Sequence, residues 1–326
     1  MRGILRPILV PLLRRAPDEV ERAARHFSVT SGEGRDLVGR VGNAFLAGYH
    51  AMLEARALDA VSEAGASVEP HFRPFFFEGA AMGYLPRAYF TERTGRRRVE
   101  ADLLAMDERF RYLYYVGLGF WYGFRHPGRP GAIEALAPYL DPFYLPLCYD
   151  GFGFKLGFFD FPKRTGVRAT LDRAPESRRA EIYQGFGRAL FFVCMDDEDR
   201  FVREKAAIPP DRRDDVESGR SLALAFTGLR QPERILRHLS TAKDDGERAL
   251  RLLGVTWALT ARAMNDPDYF ERCLGSLPVP RGALLRLLPQ ECSEARDEAA
   301  GYAEWRAMTK ARAASAYAAS EGVGRR

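Results

Sequence analysis

Small and apolar residues recur along this chain at the spacing of a helix face. Ile182, Gly185, Ala189 and Phe192 stand at i, i+3, i+7 and i+10, and Val216, Gly219, Ala223 and Phe226 repeat the stripe. No alternation at period two marks a strand. Each stripe belongs to a phrase that returns. From Asp150-Gly-Phe-Gly-Phe154 the glycine recurs 34 residues on at Gly185, 34 later at Gly219 and 35 after that at Gly254. Upstream it stands at Gly117, Gly79 and Gly42, at intervals of 34, 38 and 37, and a weaker copy at Gly301 follows Gly254 by 47.

A period in the thirties marks an array of supersecondary units, each burying its apolar face on its neighbours. The expected fold is all-α. It is a helical-repeat solenoid, a right-handed superhelix of antiparallel helix pairs with a period of about 34 residues. It is tetratricopeptide-like in period but lacks that repeat's signature residues. Residues 1–35 are expected as a lead-in and cap, 36–320 as one solenoid domain of about seven to eight repeats, and 321–326 as a disordered tail.

Within that frame a helix is expected over 17–27, with Asp18 and Glu19 suited to its first turn. The first unit opens with a helix over 36–55, the polar stretch 91–98 is an exposed loop, and 132–140 is a return helix. Pro175 and Pro210 open later helices, as proline is tolerated in a first turn. Pro232 and Pro267 open second helices, each 13 residues after a repeat glycine. Pro278, Pro280 and Pro289 are expected to interrupt the chain before a final alanine-rich helix over 297–319.

Glycine inside a helix costs about 1 kcal/mol relative to alanine. Its recurrence on the apolar stripe therefore points to close approach of neighbouring helix backbones. Gly117-x-Gly119-x-x-x-Gly123 and Gly151-x-Gly153-x-x-x-Gly157 have the wrong spacing, and too many copies, for a dinucleotide fingerprint. The residue before the glycine is polar in four units: Glu78, Asp150, Gln184 and Ser218. Strongly apolar sequence follows each, and polar groups drawn out of water need partners.

Two readings stand for these positions. One is a ladder of inter-helix hydrogen bonds that sets the register of the units. The other has Glu78 and Asp150 facing a shared channel as catalytic candidates, where desolvation raises their pKa values and lets them exchange protons with a ligand. Lys155 and Arg188, one turn after a glycine, balance those acids or extend to the surface. Aromatic residues cluster in the same register, among them Phe120, Trp121, Phe154 and Phe191. Core packing accounts for most of them, and an apolar groove for an elongated unsaturated ligand is the functional alternative. Gln184, Ser218, Lys155 and Arg188 join these aromatics as ligand-binding candidates.

Composition narrows the field. The 326 residues carry 49 basic and 44 acidic side chains, for a net charge of +5. That describes a solvated, nearly balanced exterior rather than a dedicated nucleic-acid face. The hydrophobic fraction of 46% is ample for a core. Cys148, Cys194, Cys273 and Cys292 are scattered without a Cys-x-x-Cys, which fits a reducing, cytoplasmic setting and neither a disulfide framework nor a zinc site. The five histidines show no ligand spacing, so neither metal nor cofactor is expected. The apolar stretch 143–161 contains Pro146, Asp150, Lys155 and Asp160 and will not span a bilayer. The basic, apolar start is interrupted by Pro7 and Pro11 and is expected as a docking segment rather than a signal peptide.

Several motifs in order carry a family resemblance. Phe76-Phe-Glu-Gly-Ala-Ala-Met-Gly83, Val116-Gly-Leu-Gly-Phe120, Asp150-Gly-Phe-Gly-Phe154, Gly185-Phe-Gly-Arg-Ala-Leu-Phe-Phe-Val193 and Pro210-Asp-Arg-Arg-Asp-Asp-Val-Glu-Ser-Gly219 resemble the UnbL-type enediyne biosynthesis proteins, a domain-of-unknown-function family. The resemblance covers roughly residues 36–262. It implies a context: an accessory protein encoded beside an iterative polyketide synthase that makes a linear polyene. It brings no established catalytic residues.

Three functions follow. The first is an accessory protein of enediyne or polyene polyketide biosynthesis that binds a linear apolar polyene in an aromatic-lined groove, with carboxylate-assisted chemistry at Glu78 or Asp150. The second is a non-catalytic helical-repeat scaffold for a partner protein, such as the synthase or an oxidative enzyme. The third is nucleic-acid binding through arginines 96–98, Arg178-Arg179 and Arg212-Arg213, which predicts affinity that falls steeply with salt. The near balance of charge argues against this last, and no nucleic-acid partner is expected.

Overall fold

The computed structural model describes residues 6–16, 18–91, 95–161, 166–195 and 197–323. Among these residues every regular element is helical. The chain divides into two compact units, Met1–Val202 and Arg203–Arg326. The first contains α1 (Arg6–Leu13), α2 (Glu19–Ala24), α3 (Gly32–Glu54), α4 (Leu58–Ser67), α5 (Arg73–Thr91), α6 (Val99–Asp107), α7 (Arg111–Arg125), α8 (Pro146–Lys155), α9 (Val167–Asp172) and α10 (Arg179–Val193). After α11 (Glu198–Ala206), the second contains α12 (Arg213–Thr227), α13 (Pro232–Ser240), α14 (Asp245–Asn265), α15 (Pro267–Leu274), α16 (Val279–Glu298) and α17 (Tyr302–Val323).

In the first unit five of these helices lie side by side in chain order: α3 on α5, α5 on α7, α7 on α8, and α8 on α10. Neighbours run parallel. Tyr115, early in α7, packs on Tyr144, just before α8; further along, Phe120 meets Phe154 and Gly123 lies against the Lys155 side chain. Short elements return the chain between them, including α4, α9 and a 3-10 stretch over Pro130–Tyr139.

The glycines explain how the row holds together. Residues i and i+2 of a helix lie about 200° apart, on opposite sides. Gly117 of α7 lies against the Glu78 carbonyl of α5, and Gly119 against the Cys148 carbonyl of α8. Gly151 of α8 meets the Val116 carbonyl of α7 in return, and Gly153 meets the Ile182 carbonyl of α10. Each glycine thus faces the carbonyl three residues before its partner's small residue. A Cβ there would overlap that oxygen. The approach turns Cα–H groups onto carbonyl oxygens, a weak attraction that recurs at every contact. In the second unit Gly254 of α14 meets the Ser218 carbonyl of α12 in the same way, beside Ser221.

Arginines secure the returns. Arg73 donates to the carbonyls of Val68 (3.3 Å) and Ala66 (3.1 Å), Arg179 to Ala174 (3.2 Å) and Asp172 (3.4 Å), and Arg213 to Ile208 (3.0 Å) and Ala206 (2.8 Å). Each is the first residue of a long helix and satisfies carbonyls left open where the preceding short helix ends.

Several elements differ from the sequence expectation. The lead-in carries two helices, α1 and α2, and the helix expected over 17–27 is the shorter Glu19–Ala24. The packing glycine of α3 is Gly48, against the Phe76 carbonyl, whereas Gly42 lies on Val20. The stretch expected as a return helix over 132–140 is 3-10, with prolines at 130 and 138 that limit α-helical bonding. Pro280 and Pro289 do not interrupt the chain. α16 runs through both, one in its first turn and the other at the cost of a single intrahelical bond. Part of the loop expected over 91–98 is a 3-10 turn, Gly95–Arg98, while residues 92–94 lie outside those described. α17 reaches Val323, and residues 324–326 of the expected tail also lie outside the description. No helix among the described residues is long and apolar enough to cross a membrane.

Candidate functional site

α5, α8 and α10 each place a polar residue directly before the glycine that meets the preceding helix. Parallel neighbours in register point those residues to one side of the row. Glu78, Asp150 and Gln184 are all buried there, the most accessible being Glu78 at 4%. Their backbones are pinned as well, since the Glu78 and Asp150 carbonyls receive Gly117 and Gly185.

Arg188 stands one turn after Gln184 on the same face of α10. Its guanidinium bonds the Asp150 carboxylate and lies 3.9 Å from Glu78. Gln184 donates from Nε2 to the other Asp150 oxygen at 3.2 Å, and its own Oε1 is buried without a donor among the described residues. α5 and α10 are not adjacent in the row, so the Glu78–Arg188 contact shows that the row bends toward this side.

Two buried carboxylates therefore share one guanidinium. Burial pushes the Glu78 carboxyl up to about 7; Arg188 opposes the rise and Asp150 adds to it. A carboxyl raised in the folded state binds more protons folded than unfolded between the two pKa values. Stability should therefore fall as pH climbs from about 4.5 to about 7. Glu78→Gln should remove that slope. Urea midpoints at about pH 5 and about pH 8 check it; parallel profiles for the two proteins would show that Glu78 titrates alike folded and unfolded.

An aromatic array adjoins the cluster. Phe120 lies 5.0–6.1 Å from the rings of Phe45, Phe124, Phe154 and Phe159. Phe158 stacks on Phe154 at 5.5 Å and meets Phe192, against which Phe191 packs. Phe45, Phe124, Phe154, Phe159 and Phe191 are partly exposed. The Arg188 guanidinium sits 5.1 Å above the Phe154 ring and so joins array and cluster.

The other candidates lie elsewhere. Lys155 sends its ammonium to Asp160 at 2.7 Å, not to Glu78 or Asp150. The cause is one π turn, Leu156–Asp160, whose wider register sets residues five apart beside each other. No repeat-based reading finds Asp160. Trp121 lines a separate recess near α1. Ser218 is fully buried in α12 of the second unit.

That unit also pairs Ser221 Oγ with His238 Nε2 at 2.8 Å. This is not a nucleophile and its base. The hydroxyl also donates to the Glu217 carbonyl, Ser221 is fully buried, and burial with nearby Arg251 and Arg220 lowers the His238 pKa to about 3. Among the described residues no disulfide forms, and no group of three or more His, Cys, Asp or Glu is arranged to hold a metal.

Fold and site together define an all-helical protein with a buried carboxylate–guanidinium cluster set against an aromatic face. Residues 4–312 match the family described as "Protein of unknown function (DUF1702)", and the chain belongs to that family. No curated protein and no solved structure matches it.

Proposed function

We propose that the first unit binds an elongated, unsaturated apolar molecule along its phenylalanine array, and that Glu78 exchanges a proton with it. One juxtaposition carries this reading: a carboxyl poised at about 7 beside partly exposed rings, joined to them by Arg188 over Phe154. A group half protonated near neutral pH serves as either acid or base. Conjugated chains are planar and suit aromatic faces. The reading places the protein as a cytoplasmic accessory factor in enediyne or polyene polyketide biosynthesis. It takes the long parallel helices and short returns of each unit as solenoid repeats of tetratricopeptide-like period.

Diphenylhexatriene, an uncharged conjugated probe, tests the site. Its fluorescence should rise on binding the wild type, and Phe154→Ser should weaken uptake by about tenfold. Glu78→Gln should retain uptake and lose product formation when the protein is supplied to its synthase. The reading is abandoned if the wild type takes up no probe, or if Glu78→Gln and Asp150→Asn leave product formation untouched. Co-purification with the synthase independent of any small molecule, without uptake, would put the scaffold function in its place.

A further inference from the structure

A recess of about 340 Å³ in the first unit is lined by Arg14, Arg15, Tyr49, Trp121, Phe124 and Arg125. Its charge is one-sided. Among the described residues three guanidinium groups stand against a single lining carboxylate, Glu19, which Arg15 holds at 2.5 Å. Arg14 pairs with Glu54 at 3.1 Å, but both ends of that pair are about half exposed, where such contacts contribute little. Arg125 is exposed and has no carboxylate partner among the described residues.

Trp121 supplies the second observation. The residue is 8% exposed, and its Nε1–H is buried without an acceptor among the described residues. A buried donor left unmatched is uncommon and costly, and an incoming oxygen would relieve it. The rest of the wall is apolar. Leu12 and Leu13 line it, and the Tyr49 hydroxyl donates to the Leu13 carbonyl at 2.8 Å and lies within reach of Arg15. Arg15 covers the Phe124 ring at 3.7 Å.

We propose that this recess binds a small monocarboxylate with an aryl or short acyl body. The carboxylate faces the arginines and, with a small opening of the wall beside Trp121, accepts from its Nε1–H, while the body lies against Leu12, Leu13 and Phe124. Guanidinium groups pair with carboxylates in two-point geometry, which favours this head group over a hydroxyl. The volume accommodates a ligand of that size. The site does not depend on the Glu78 reading.

Calorimetric titration of the full chain with cinnamate, octanoate and cinnamyl alcohol tests the assignment. Both acids should bind saturably, with the alcohol at least about tenfold weaker. Trp121→Phe, which keeps the ring and removes the N–H, and Arg125→Met should each weaken cinnamate by about tenfold. Glu78→Gln should leave it unchanged. Arg125 is solvent-facing, so its variant remains informative if Trp121→Phe fails to fold. The proposal is overturned if acid and alcohol bind alike, if folded Trp121→Phe and Arg125→Met both bind as the wild type does, or if the wild type shows no saturable binding at millimolar ligand.

Discussion

Gly185→Ala is expected to destabilise the first unit by about 3 kcal/mol or more. Gly39→Ala, the same chemical change within a helix, is expected to stabilise it by about 1 kcal/mol. The difference lies outside the helix. A Cβ on Gly185 would run into the Asp150 carbonyl of α8, and a backbone oxygen cannot rotate away as a side chain does. At Gly39 of α3 nothing lies within 4 Å, so alanine only removes the conformational entropy that glycine loses on folding. Urea unfolding of the two variants against wild type decides the matter. Equal, small effects would mean that α8 and α10 are not held at glycine distance.

Arg188→Met should cost about 3–5 kcal/mol, because it removes a cation that faces two buried carboxylates. The loss comes less from the missing contact than from the charges left behind. Adding Glu78→Gln and Asp150→Asn to Arg188→Met should restore most of the stability, since a neutral cluster of similar shape carries little desolvation penalty. The thermal midpoint of the triple variant is therefore expected above that of Arg188→Met alone. A single variant as stable as wild type would show that Glu78 and Asp150 do not need the guanidinium.

These expectations separate what the sequence displays from what only packing creates. The glycine period is visible because a costly residue recurs on an apolar stripe. Burial of Glu78, Asp150 and Gln184 is visible because apolar runs follow them. The meeting of Glu78 with Arg188 is not visible, because it depends on a bend accumulated over several helices, which no local pattern encodes.

Other signals in the sequence take their meaning only from the packing. Gly117-x-Gly119 and Gly151-x-Gly153 resemble a failed nucleotide fingerprint until the angle between i and i+2 is considered; each pair then marks a helix with a neighbour on both sides. Arg73, Arg179 and Arg213 stand six residues before Gly79, Gly185 and Gly219, a spacing as regular as the glycines themselves. Arg179 and Arg213 fall in the pairs that suggest a nucleic-acid contact, but all three spend donors on nearby carbonyls. Gly42 fits the repeat by its neighbours in sequence, although Gly48 is the residue that packs on α5.

A helix with a small residue on each of two opposite flanks has no preferred end in the row. Copying one such segment of DNA in frame would insert another helix that already fits on both sides, whatever the length of the connecting stretch. Growth or shrinkage by whole units is then a single genetic step rather than a redesign.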